Sequence, residues 1–331
     1  MIKSKIISWL MSRFDIGKLD KMFVRVPIVK IVYKFLAQRT INYDFPTHIF
    51  AESTSVCNFY CKMCPRTEGN IPIGNMDFAV FKKIIDEAKL YGPRSFSLYL
   101  FGEPLLAPRI IEMIKYIKQS NPDNVVVITT NGSLLTEEKA RALVECKTDK
   151  VAVSFVSPDK ETYFKKTGMD KLEETQKNIE RLIALKKEKK SDKPIIFARM
   201  IVGNDTATQV SEFVRRWKGR KVVAELRDMH NYGGHIKESY VKKVKRYPCY
   251  HLWLAPAVHW NGDMTICCVD YERKTLLGNV SKNTINEMWT GEKIRKYRKL
   301  HLQGKYDEIP LCKDCDVWNI YSDLFFNWQK K

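Results

Sequence analysis

The chain has 331 residues, 44% of them hydrophobic and 29% charged, with a formal net charge of +19. That is globular composition, enough for one large domain and a smaller one, and no apolar run approaches the roughly 18 residues of a membrane-spanning helix. Nine cysteines without an export signal favour a reducing cytoplasm, where clustered thiols bind metal more often than they form disulfides. The surplus charge implies an anionic partner without naming it. A solvated lysine-rich surface accounts for it too, since Lys186, Lys187, Lys189 and Lys190 simply end a helical run.

Residues 1–45 stand apart. "VRVPIVKIVYKFLAQRT" puts Val29, Val32, Phe35 and Leu36 along one helical face, and the first 40 residues carry nine Lys/Arg against two Asp. A helix packed over the open side or bottom of the main domain fits this pattern. So does an amphipathic segment on anionic lipid, peripheral at the inner face of a membrane.

From about residue 47, β-branched runs alternate with helix-periodic runs. The strand-like runs are "HIFAEST", "SFSLYLFG", "VVVITTNG", "KVAVSFVS", "PIIFARMIV" and "KVVAELRDM"; helical spacing lies between them, as at Leu172, Thr175, Ile179, Leu182 and Leu185. Six such repeats predict an α/β fold over 46–235, a partial (β/α)6 TIM-like barrel that six units leave open. A charged linker is expected over 236–247. The following domain, 248–317, reads as a β-hairpin turning at Asn261-Gly262, then one helix, "TINEMWTGEKIRKYRKL". Residues 318–331 form an aromatic tail.

Chemistry concentrates in the cysteines. "CNFYCKMCPR" places Cys57, Cys61 and Cys64 just after the first strand, where a βα-loop belongs, with no fourth thiol before Cys146. Three thiolates are one short of a closed zinc or iron–sulfur site. On a helix they would share one face, but Pro65, Asn58 and Lys62 argue for a loop. Cys146, late in a helix, is a small core residue.

CxxxCxxC at the first βα-loop resembles the radical SAM superfamily over residues 47–230. The resemblance implies that Cys57, Cys61 and Cys64 hold three irons of a [4Fe–4S] cluster, with S-adenosyl-L-methionine on the fourth. The cofactor then yields a 5′-deoxyadenosyl radical that takes a hydrogen atom from substrate. Gly102-Glu103-Pro104 resembles the motif that holds the cofactor's ammonium. Asn131 and Ser154 match further cofactor positions, and Lys165 or Lys166 the basic residue that pairs with its carboxylate. Arg199 is a charge inside an apolar strand; it either meets an anion at the barrel mouth or faces outward. Met63 replaces the aromatic residue frequent before the third cysteine.

Cys249, Cys267, Cys312 and Cys315 resemble the twitch domain, the shorter relative of the SPASM extension, and imply a second [4Fe–4S] cluster with all irons held. Zinc held by two cysteine pairs is the rival reading. Cys267 and Cys268, taken as strand neighbours, should point to opposite faces, leaving Cys268 to packing.

Such an architecture implies an oxidoreductase acting on a small sugar- or cyclitol-like polyol, neutral, anionic or lipid-linked. An external one-electron reductant such as flavodoxin or ferredoxin would serve it. Glu225, Arg227 and His230, at the end of the sixth strand, are candidates for the base, though ordinary strand-end polarity explains each one. Epimerisation is a variant in which a thiol returns a hydrogen atom. Peptide maturation, or a non-catalytic metal-binding scaffold for RNA or membrane, are the other classes. The short N-terminal segment and the lack of an RNA-binding signature count against these.

Overall fold

The computed structural model describes residues 44–68, 71–237, 239, 246 and 248–319. The amphipathic segment expected before residue 44, most of the linker and nearly all of the aromatic tail lie outside them.

Six strands run parallel: β1 (His48–Ala51), β2 (Ser95–Ser97), β3 (Val125–Thr130), β4 (Lys150–Val156), β5 (Ile195–Val202) and β6 (Val222–Asp228). Helices α1 (Phe78–Lys89), α2 (Ile110–Ser120), α3 (Glu137–Glu145), α4 (Lys160–Thr167), α5 (Leu172–Glu188) and α6 (Val210–Trp217) connect them. Burial follows the pattern in the residues. β4 is almost continuously buried, as a parallel strand covered on both faces should be. Helix α5 buries Leu172, Thr175, Ile179, Leu182 and Leu185 in one stripe. Helix α1 starts where Asp77 Oδ1 accepts the Ala79 amide at 2.6 Å, and it buries Phe81, Ile84, Ile85 and Ala88. Each large apolar side chain among them contributes about 1.5–3 kcal/mol.

The C-terminal part comprises α7 (His251–Leu254), β7 (Ala257–Val258), β8 (Asp263–Thr265), β9 (Leu276–Asn279), α8 (Ile285–Thr290) and α9 (Glu292–Leu302). The hairpin turns at Gly262, whose φ of +89° suits glycine. Strand β7 pairs in parallel with β1, so barrel and hairpin form one nine-stranded sheet in the order β6-β5-β4-β3-β2-β1-β7-β8-β9. Hydrophobic alternation reports which face of a strand is buried but not which strand lies beside it, so sequence patterning left this junction unseen.

Buried Glu52, just after β1, accepts the amides of Phe101 (3.3 Å) and Trp260 (3.2 Å) and so ties the two parts together. Two glutamates reinforce α8. Glu87 on α1 accepts the amides of Ile285 and Asn286, while Thr284 and Glu287 form a capping box.

Three local expectations differ. The single C-terminal helix is two, broken at Gly291, where a Cβ would stand 2.8 Å from the Glu287 carbonyl oxygen. Helix α4 and strand β9 were not foreseen. Cys267 and Cys268 lie in the turn after β8 rather than on the strand, because pairing with β7 and β9 stops at Thr265.

Candidate active site and auxiliary metal centre

The three-cysteine loop leaves β1 at the C-terminal mouth of the barrel, and the backbone fixes its shape. Ser53 Oγ donates to the Leu98 carbonyl (2.9 Å), Ser55 Oγ to Pro72 (2.9 Å), and the Glu103 amide to the Val56 carbonyl (2.8 Å). The last turn of α4 supplies two further tethers, the amides of Tyr60 and Lys62 donating to the carbonyls of Thr167 (3.2 Å) and Lys166 (3.0 Å). Gly102 sits so close that a Cβ would stand 2.2 Å from the Thr54 carbonyl oxygen. The glycine of the Gly-Glu-Pro run is therefore a steric requirement of the loop.

The three thiols are half-buried at the mouth beside the Arg66 guanidinium, which favours their ionised form less strongly than burial opposes it. Burial pushes all three up, Cys61 to about 12, and in Cys61 its neighbours Cys64 and Cys57 add to the effect. A bound cation reverses that balance and makes them thiolates.

Glu103 is buried and its carboxylate is occupied. Oε1 accepts from the Leu105 amide (3.0 Å) and Thr130 Oγ1 (2.6 Å), and Oε2 from the Asn131 amide (2.7 Å). These bonds join the loop after β2 to the end of β3, so the carboxylate shapes the mouth. Pro104 starts the helical turn that follows. Asn131 donates to Asn58 Oδ1 (2.8 Å), inside the cysteine loop.

Ser154, Arg199 and Glu225 are register partners across β4, β5 and β6. Arg199 Nε donates to Glu225 Oε2 (2.6 Å) and Arg227 Nε to Glu225 Oε1 (2.9 Å). The anion that Arg199 meets is thus Glu225. Burial pushes the Glu225 carboxyl up, but the two guanidiniums outweigh burial and hold it below the usual carboxylate range. A carboxylate held ionised by two arginines is a poor base. Lys166 is buried, and its Nζ pairs with Asp205 Oδ2 at 2.9 Å, whereas Lys165 is exposed. The Nδ1 of His230 accepts the Tyr232 amide (3.2 Å), leaving the ring proton of the neutral form on Nε2. Of the three candidate bases, Arg227 is a guanidinium, Glu225 is held by both arginines, and His230 Nδ1 accepts an amide.

Cys249, Cys267, Cys312 and Cys315 line one small cavity together with His251 and His301, and Cys268 does not line it. Two ring nitrogens on this lining, His251 Nδ1 and His301 Nε2, are buried without a hydrogen-bond partner among the described residues. The Cys249 amide donates to His301 Nδ1 (3.2 Å), which places the His301 proton on that orphaned Nε2. Orphaned buried donors are rare and call for a missing acceptor. Cys146 is a core residue at the end of α3.

The loop after β6 joins the two cysteine sites. The Asn231 amide donates to Asp316 Oδ1 (3.0 Å), and the Asp316 amide to Asn231 Oδ1 (3.2 Å). Next in the chain, burial pushes the Tyr232 phenol up, and the nearby Cys64, Cys61 and Cys268 add to the effect. Sequence reasoning passed over Asn231, Tyr232 and Asp316. The Gly233-Gly234 pair just past the strand, where the chain takes positive φ, was the available signal.

A family model for the radical SAM superfamily matches residues 51–215, and one for the SPASM iron–sulfur cluster-binding domain matches residues 249–316. The chain belongs to the radical SAM superfamily. Relatives include the tungsten-containing aldehyde ferredoxin oxidoreductase cofactor-modifying protein of Pyrococcus furiosus, 25% identical over 317 residues, spanning 82% of this chain and 87% of that one. Another is the S-adenosyl-L-methionine-dependent 2-deoxy-scyllo-inosamine dehydrogenase of Niallia circulans, 23% identical over 286 residues, spanning 85% of this chain and 96% of that one. Among solved structures, BtrN in complex with AdoMet and 2-DOIA covers 82% of this chain and 92% of its own, at a TM-score of 0.56 and 20% identity.

This radical SAM enzyme uses S-adenosylmethionine with a [4Fe–4S] cluster, and its C-terminal domain binds an auxiliary iron–sulfur cluster. The residues present fit both groups. Three thiols at an open mouth leave a corner for a further ligand. Four thiols lining one cavity, with a buried histidine N–H on the same lining, suit a fully ligated cluster whose sulfurs accept hydrogen bonds.

Proposed function

We propose that this enzyme oxidises a carbinol of a small sugar- or cyclitol-like polyol, with Cys57, Cys61 and Cys64 as ligands of the cofactor-binding cluster. Cys249, Cys267, Cys312 and Cys315 are then the ligands of the auxiliary one. When bound, the first cluster and S-adenosylmethionine supply a radical that removes a hydrogen atom, and the auxiliary cluster takes up an electron. The observation that carries this reading is the loop after β6, which ties an open three-thiol mouth to a closed four-thiol cavity through Asn231 and Asp316.

This chain's own residues do the rest. Arg199 and Arg227 both bind the Glu225 carboxylate on β5 and β6. Guanidiniums so placed lower the energy of a carbinol oxygen that loses its proton to solvent and suit an oxygen-rich or anionic substrate. Glu225 orients both guanidiniums, a positioning role in place of the base expected from sequence. Ser154, beside Arg199 in the register, offers a hydroxyl to the cofactor or substrate. Asn131, Lys166 and the main chain at Gly102 border the same mouth and bound the cofactor. A one-electron reductant of flavodoxin or ferredoxin type supplies the first cluster. The relative named as a 2-deoxy-scyllo-inosamine dehydrogenase supports a cyclitol alcohol as substrate.

Cys268 favours a second reading, epimerisation. It is a half-buried thiol outside the cluster cavity, close enough to Tyr232 to influence it. Incubation with a polyol deuterated at the reacting carbon separates the readings. Deuterium in 5′-deoxyadenosine with a product that has lost that deuterium and one further hydrogen supports oxidation. An isomer in which a solvent-derived hydrogen replaces the deuterium, formed only when Cys268 is present, supports epimerisation, and no deuterium transfer from any polyol refutes both.

A further inference from the structure

We propose that the end of the barrel opposite the cysteine mouth docks on an anionic lipid bilayer. The five loops that lead from a helix back to the next strand (residues 90–94, 121–124, 146–149, 189–194 and 218–221) carry eight Lys/Arg and three Asp. The five that lead from a strand to the next helix (52–77, 98–109, 131–136, 157–159 and 203–209) carry three Lys/Arg and six Asp/Glu. Basic side chains in final helical turns follow from the helix dipole. Those turns are left out of both counts, and the polarity along the barrel axis persists.

Much of this charge is uncommitted. Lys193 and Lys118 share the buried carboxylate of Asp149, Lys189 pairs with Glu145, and Arg220 with Glu180. Lys147, Lys190, Lys218 and Lys221 are exposed, with no ion pair among the described residues. Beside them Leu90 is 80% exposed at the α1–β2 loop, an apolar side chain on a basic face.

The chain enters the barrel at this same end. Phe45 stacks on Tyr91 (ring centroids 4.2 Å apart), with the Arg94 guanidinium 5.7 Å from the Phe45 centroid. The residues before it carry nine Lys/Arg and three Asp among Trp9, Phe14, Phe23 and Phe35. Apolar and aromatic side chains interleaved with basic ones suit a headgroup–acyl boundary. A nucleic-acid duplex would be met by polar and basic groups, with no role for an exposed aliphatic side chain such as Leu90. With this end on the bilayer, the cysteine mouth faces away from it and stays open to cofactor and reductant.

The test uses the full-length chain, sedimented with vesicles of phosphatidylcholine alone or mixed with phosphatidylglycerol. Pelleting with the mixed vesicles only, weakening as salt is raised, is expected. The variant Lys147→Glu/Lys190→Glu/Lys218→Glu/Lys221→Glu should bind them at least tenfold more weakly at an unchanged melting temperature. On wild-type protein, hydrogen exchange should slow in loops 90–94, 189–194 and 218–221 when mixed vesicles are added, while loop 131–136 is unaffected. This second measurement stands if the variant does not fold. Equal pelleting with neutral vesicles, absent protection of those loops, or tighter variant-sensitive binding to duplex DNA or RNA than to vesicles would each overturn the proposal.

Discussion

Asn231 and Asp316 bind each other reciprocally across 85 residues of sequence, each backbone amide donating to the other's side-chain oxygen. Asp316 directly follows Cys315, and Asn231 directly precedes Tyr232. The pair therefore sets the distance between the last thiol of the cavity and the barrel mouth. Asn231→Ala removes an acceptor and leaves the Asp316 amide unpaired, a loss of about 1–3 kcal/mol. Expected is a fall in auxiliary iron, with formation of 5′-deoxyadenosine retained; iron analysis beside product assay reads both.

Metal content distinguishes the two cysteine sets. Anaerobically prepared protein should hold roughly eight irons per chain and little zinc. Cys64→Ala should lower this to roughly four and abolish cleavage of S-adenosylmethionine. Colourless, zinc-loaded protein would refute the assignment of both sites.

Gly102→Ala tests the close approach behind the cysteine loop. A methyl 2.2 Å from a backbone oxygen must displace the chain, at a cost of about 1–3 kcal/mol. Thermal unfolding should shift downward, and iron at the first site should fall. Pro104→Ala, lying outside that contact, should leave both nearly unchanged.

His301→Phe probes the donor aimed into the auxiliary cavity. Burial, helped by Arg246, lowers the imidazole to about 3, so it is neutral and its Nε2–H is present across physiological pH. A hydrogen bond to a cluster sulfur stabilises the reduced form. The variant's auxiliary midpoint potential should therefore move to more negative values in a redox titration followed by EPR. An unchanged potential would deny the bond.

Glu225 gives a pH signature. Its folded-state carboxyl titrates below the usual range, so its contribution is complete above the ordinary glutamate value and lost as pH falls through the lowered one. Glu225→Gln should cost about 3 kcal/mol at neutral pH by leaving two guanidiniums without a carboxylate. It should also flatten the fall in melting temperature as pH drops below the ordinary glutamate value of about 4.3. A parallel wild-type slope would show that the cluster does not set acid stability.

The sequence alone determined the strand–helix alternation, the buried stripe of α5, the hairpin turn at Gly262 and which cysteines form two sets. These are local or periodic properties, carried by side-chain spacing and backbone preference. Only the tertiary structure decided that β7 extends the barrel sheet beside β1, that Glu103 is buried under three donors, and that Glu225 is locked between Arg199 and Arg227. Only there do His301 and Cys249 meet, and only there do the basic residues of four separate loops gather at one end of the barrel. Such relationships join residues far apart in the chain. Hydrophobic periodicity says that a side chain is covered but not by what, and a charge acquires its role from the partner that folding sets against it.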